Sequence, residues 1–125
     1  MAKNLRLRKG APAILIENVG KVDGRPISVA AHHFPAKRFP DIIEVYKREK
    51  SVTRALAHYG VVDYTRKETR VTARLPSGNE SRLLELPRSQ PVLVIEAINI
   101  DPEGRIIEYG WTRMAAERTQ LVVQP

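Results

Sequence analysis

The chain has 125 residues, no Cys, and 21 Lys and Arg against 14 Asp and Glu, a formal charge of +7. That length fits one domain able to bury about two thirds of its unfolded surface without staples. Disulfides and thiolate metal sites are excluded, and no apolar run approaches the ~20 residues of a membrane span, which points to the cytoplasm. The positive charge invites anionic partners: nucleic acid, anionic lipid or a phosphorylated small molecule. The cations are interspersed with acids and never form a block of five, as on an ordinary solvated surface.

Residues 1–10 are polar and basic and end at Gly10. They read as a linker stub, with a further domain expected before it in a longer parent, and 11–125 as a single domain. The apolar stretch that follows meets Glu17 too soon for a secretory signal. Ala11 to Val22 reads as a first strand. Val22-Asp23-Gly24-Arg25 is a turn, and Pro26 to Phe34 is the returning strand of a hairpin. His32 and His33 are adjacent on it, so they point to opposite faces and cannot share a metal. Either one is half-buried and the other solvated, or one of them contacts a ligand.

Asp41 to Lys50 reads as a short helix, with Ile42, Ile43, Val45 and Tyr46 on one side and charges ordered to suit the dipole. Ser51 opens a second helix as N-cap, with Thr53 in its first turn and Gly60 as its stop. Val52, Ala55, Leu56 and Tyr59 form its apolar stripe. The start of that helix is either a cap alone or an anion site.

Val61 to Leu75 reads as a long strand. Arg66, Arg70 and Arg74, four apart, should line one face, as a solvated row or an anion-binding strip. Ser77-Gly78-Asn79-Glu80 is a capping box for a third helix. Val92 to Ile100 and Ile106 to Trp111 form a second hairpin around Asp101-Pro102-Glu103-Gly104, a type I turn. Gln120 to Val123 reads as a last short strand. These signals predict an antiparallel sheet of five or six strands with helices on one face. Glu108 lies on the other side of its strand from Ile107 and Tyr109, as a salt-bridge member, a ligand acceptor or an acid/base. Glu96 lies in the partner strand. There is no Gly-rich phosphate loop, HExxH or GxSxG. Three His without Cys make no recognisable metal set.

Six phrases stand out in order: Asp23-Gly24-Arg25-Pro26-Ile27, Phe34-Pro35, the Ser51-to-Gly60 helix, the Thr69-to-Leu75 strand, Pro91-Val92-Leu93, and Gly104-Arg105-Ile106-Ile107-Glu108-Tyr109. Their order and spacing resemble the effector-binding (UTRA) domain of GntR-type bacterial repressors, HutC branch, from about Ala13 to Val123. The stretches DYTRKETRVTARLPSGNE and EYGWTRMAAERTQLVV are most similar to the phosphonate-utilisation regulators of that branch.

The resemblance implies a chorismate lyase-like α+β fold, no cofactor, a homodimer, and no enzymatic activity. It implies a small-metabolite site that shifts the DNA affinity of an N-terminal winged-helix domain absent from this chain. Where sugar-phosphate-sensing members carry two arginines on the first strand, this chain has Asn18 and Gly20. Where they carry a Glu on the second strand it has Ala30. Their Ser-x-Tyr is matched at Ser51, with Thr53 in place of Tyr, and Glu108 keeps the acidic position. The departures argue against a sugar phosphate and leave a phosphonate or related small anion, with positive charge from Arg66 or Arg70. The expected ligand site is Asn18, His32, Ser51, Thr53, Arg70 and Glu108. Two rivals remain: a chorismate lyase-like enzyme, and a basic nucleic-acid-binding module, whose affinity would fall steeply with salt.

Overall fold

The computed structural model describes residues 12–124; the linker stub expected at 1–10 lies outside the described residues. The elements in order are β1 (Ala13–Val22), β2 (Arg25–Pro35), α1 (Ile42–Glu49), α2 (Val52–His58), β3 (Thr65–Arg74), α3 (Gly78–Leu84), β4 (Val92–Ile100), β5 (Ile106–Ala115) and a 3₁₀ turn at Ala116–Arg118. The strands form one antiparallel sheet in the order β1-β2-β5-β4-β3. Among the described residues the sheet has five strands, so the lower expected number holds.

Local chemistry sets the turns. Asp23 and Gly24 both have positive φ, as a two-residue hairpin requires if its twist is to match the strands. In the second hairpin the Gly104 N–H donates to the Asp101 carbonyl at 2.9 Å, closing the expected type I turn. Gly104 then takes φ +83°, and the β4–β5 register shifts between Asn99 and Ile100. The Ser77–Glu80 capping box at α3 forms in both directions. Ser51 caps α2 through the Arg54 N–H, and Gly60 has φ +80° just past its end.

Cross-strand partners share a face, and alternate residues along a strand share a face. Ile16 pairs with His32, and Phe34 lies two beyond it. Ile16 and Phe34 pack with Phe39, Ile42, Val45, Ala55 and Leu56, so α1 and α2 cover that end of one face. Val29 is five residues from Phe34 on β2 and points the other way. It packs with Val92, Val94, Ala115, Leu84 and Leu86, which places α3 beneath the opposite face. The helices therefore divide between the two faces and do not share the single face that the sequence pattern predicts. Each face offers an apolar patch, in different halves of the sheet, and each patch needs its own cover. Burying side chains such as Phe34, Leu56 and Leu84 stabilises by roughly 1.5–3 kcal/mol apiece.

Two further expectations are corrected. Gln120 to Val123 does not form a strand, and Val123 is 82% exposed. The chain leaves the sheet from β5, which already has β2 and β4 on its two sides. There Arg118 anchors it by donating to the carbonyls of Pro26, Leu84 and Glu85. The row of three arginines on β3 is also broken. The β3–β4 register shifts between Arg66 and Glu68, so Arg66 sits opposite Asn99 while Arg70 sits opposite Glu96. Asn99 and Glu96 are three apart on β4 and face opposite ways. A bulge thus turns Arg66 to one face and leaves Arg70 and Arg74 on the other.

Candidate functional site

The face that α1 and α2 cover at one end carries a line of polar side chains across four strands. Glu108 on β5 lies at its centre. Its Oε2 is 2.6 Å from His32 Nδ1 on β2, and its Oε1 accepts from the Asn99 side-chain amide on β4 at 3.0 Å. Asn99 Oδ1 accepts from Arg66 Nε on β3 at 2.8 Å. A second Arg66 nitrogen donates to Thr69 Oγ1 at 3.1 Å. Glu108 is buried, His32 and Asn99 are half-buried, and Arg66 is exposed. The line therefore runs from the protein's interior out to solvent.

Small residues form the floor beside it. His32 pairs with Gly110, Gly110 pairs with Ala97, and Ala30 lies two residues before His32. With Gly110 and two alanines at adjacent positions, the sheet is open to close approach. Gly110 is not forced by backbone geometry. A Cβ there would meet only the Ala97 carbonyl, at 4.0 Å. The wall comes from the helices. Asn18 on β1 donates to the Tyr46 hydroxyl of α1 at 3.4 Å. Thr53 Oγ1 of α2 lies 3.4 Å from the hydroxyl of Tyr64, two residues before Arg66. Ser51 Oγ accepts from the Arg54 N–H at 3.2 Å, which leaves its own proton free to donate.

Of the six expected site residues, Asn18, His32 and Glu108 share this face, and the start of α2 bearing Ser51 and Thr53 is tied to its rim through Tyr64. Arg70 does not join them. It lies on the opposite face, 69% exposed in its side chain, and pairs with Glu68 at 3.1 Å. Arg66, the alternative source of charge, takes the place expected for it. Sequence reasoning passed over Asn99, the link between carboxylate and guanidinium. A polar residue in the apolar run Val92 to Ile100 was the available signal.

The other face holds structural charges. Glu80 receives both terminal nitrogens of Arg74, at 2.7 and 2.9 Å. That hydrogen-bonded guanidinium holds its carboxyl at about 2 despite burial. His33 is buried beside the Tyr109 carbonyl, 3.4 Å away. Desolvation lowers its pKa and outweighs that hydrogen bond. A depression of about 260 Å³ opens between the end of α2 and the second hairpin turn, lined by Arg38, Asp63, Asp101 and Arg105 among others. Its cations are engaged: Arg38 and Arg105 both donate to Asp101, at 2.8 and 3.0 Å. Desolvation pushes that carboxyl up, but the Arg105 amide and the two guanidiniums outweigh it and bring it to about 2. Among the described residues no group of three His, Asp or Glu side chains is placed to hold a metal ion, and no helix is long and apolar enough to cross a membrane.

The UTRA domain family matches residues 1–120. The chain belongs to that family. This UTRA domain is 39% identical over 124 residues to an uncharacterized HTH-type transcriptional regulator, RB1450 of Rhizobium meliloti, covering 99% of this chain and 51% of that protein. It is 26% identical over 99 residues to the HTH-type transcriptional repressor PhnF of Mycolicibacterium smegmatis, covering 79% of this chain and 40% of PhnF. The domain thus spans about half the length, or less, of these curated relatives. Crystal structures agree on the fold. PhnF from Mycobacterium smegmatis superimposes with a TM-score of 0.88 at 24% identity, covering 99% of this chain and 55% of that one. The C-terminal domain of YurK from Bacillus subtilis superimposes with a TM-score of 0.91 at 18% identity, covering 99% and 86%. Both share the α+β, chorismate lyase-like architecture with this domain.

Proposed function

We propose that this UTRA domain senses a small anionic metabolite, a phosphonate or a related compound, on the face that carries Arg66, Asn99, Glu108 and His32. Occupancy would alter operator binding by an N-terminal winged-helix domain in a longer, homodimeric, cytoplasmic regulator. The observation that carries this reading is the continuous hydrogen-bonded line from His32 to Arg66 above a floor of small residues. Membership in a family whose relatives are named transcriptional regulators supports it, and the likeness to PhnF supports a phosphonate. Arg66 supplies countercharge, Asn18, His32 and Glu108 read the rest of the ligand, and the Ser51 hydroxyl and Thr53 donate from the start of α2. A ligand touching both the sheet and α2 would draw them together, and the Thr53–Tyr64 contact gives that movement a path to β3. The domain acts as a sensor and not as an enzyme, and DNA is contacted only through the other domain.

A thermal-shift screen of phosphonates, phosphate esters and carboxylates tests this, because a ligand selective for the folded state raises its melting temperature. A stabilising anion whose effect disappears in Arg66→Ala supports the reading. The reading fails if no small anion stabilises the domain, or if the stabilisation is indifferent to Arg66. The domain alone should also show no sequence-specific DNA binding that survives physiological salt.

A further inference from the structure

Three carboxylates are buried among the described residues: Glu80, Asp101 and Glu108, at 2, 5 and 6% exposure. The first two are matched with guanidiniums. Glu80 pairs with Arg74 and Arg113, and Asp101 with Arg38 and Arg105. Glu108 differs. Among the described residues its side-chain partners are His32 and Asn99, with neither Arg nor Lys in reach. A buried carboxylate without a firm cationic partner is costly, and a cation brought in from outside offsets that cost. Two of its roughly four lone-pair directions are used, which leaves acceptor capacity. Gly110 stands two residues along on the same face, so nothing larger than a hydrogen projects there to block approach.

Arg66 lies on the same face, one carboxamide away through Asn99. An exposed guanidinium and a buried carboxylate are thus held side by side without touching, because Asn99 satisfies one from each end. Were the site made for an anion alone, the buried carboxylate would repel it. We infer that the effector is a small zwitterion, its ammonium on Glu108 and its phosphonate, phosphate or carboxylate on Arg66. This rests on the reading of that face as the effector site, and it narrows the ligand from small anions to amino-substituted ones.

The test uses matched pairs differing only in the ammonium: aminoethylphosphonate against ethylphosphonate, phosphoethanolamine against ethyl phosphate, and β-alanine against propionate. Titration calorimetry gives the affinities for the parent domain and for Glu108→Gln. In the tightest-binding pair the ammonium-bearing member should bind at least about tenfold more tightly. In Glu108→Gln that preference should vanish. The ligand-free variant should melt at or above the parent, whereas Glu80→Gln should melt below it. The inference is overturned if the plain anions bind as tightly as their amino partners, if no amino member binds, or if Glu108→Gln keeps the preference. It is also overturned if Glu108→Gln melts well below the parent, since Glu108 would then be a matched structural charge. Tight binding of plain anions that is lost in Arg66→Ala removes only the zwitterion and keeps the effector face. Binding of either kind that is indifferent to Arg66 removes the face itself.

Discussion

Arg66 and Arg70 stand on opposite faces of β3, although they are four positions apart. The register shift between Arg66 and Glu68 is the cause. Only Arg66 reaches the line that ends at His32, so the two substitutions should have different effects on ligand binding. A hydrogen bond to a charged group contributes about 1.5–3 kcal/mol. Arg66→Ala should therefore weaken effector binding by roughly tenfold to a hundredfold. Arg70→Ala, which loses a solvent-exposed pair with Glu68, should leave affinity unchanged and stability within about 0.5 kcal/mol.

Ser51→Ala removes a helix cap as well as a hydroxyl. The cap loss should cost about 0.5–2 kcal/mol of stability in chemical denaturation. Effector affinity, measured at a temperature where both proteins are folded, should also fall by roughly tenfold to a hundredfold. If Ser51→Ala and Thr53→Ala both bind as tightly as the parent, Ser51 is a cap alone and the ligand does not reach α2.

Gly110→Ala separates the floor of the site from the fold. The added Cβ meets only the Ala97 carbonyl, at 4.0 Å. Replacing a strand glycine should then stabilise by roughly 0.5–1 kcal/mol. The same methyl occupies the floor beside His32 and Glu108, so effector affinity should drop while the melting temperature rises. A variant that gains stability with full affinity would place the ligand away from Gly110.

Glu80 sets part of the acid response. Its carboxyl lies at about 2 in the folded state against 4.5 ordinarily, so the folded state holds its proton less readily than the unfolded chain. The stabilisation is complete above pH 4.5 and is lost as pH falls towards 2, on the order of 3 kcal/mol in all. Glu80→Gln should flatten the fall in stability over that window and lower stability at neutral pH. A parent whose stability is flat between pH 5 and 2 would contradict this.

The two hairpins, three helices and their caps were legible because their signals are local. Asp23-Gly24 and Asp101 to Gly104 specify turns, Ser51 and Ser77 specify helix starts, and Val52, Ala55 and Leu56 mark a helical stripe. The division of helices between the two faces was not legible, because it depends on which sheet patch each stripe finds. Gln120 to Val123 has the composition of a strand, but β5 is already flanked on both sides. The placement of Arg66, and with it the importance of Asn99, turned on one bulge that no residue type announces. Strand alternation set Glu108 apart from Ile107 and Tyr109, and His32 apart from His33, because the ladder is regular there, whereas Asn18 was singled out by the resemblance alone.

On the proposed reading the effector lies along the line from His32 to Arg66. Amide and side-chain chemical-shift mapping, with the tightest ligand from the anion screen titrated into the domain, locates it residue by residue. That placement predicts changes concentrated at Asn18, His32, Arg66, Asn99, Glu108 and Gly110, and reaching Ser51 and Thr53. Changes centred instead on the depression around Arg38, Asp63 and Arg105, or on the face bearing Arg70 and Arg74, would contradict it.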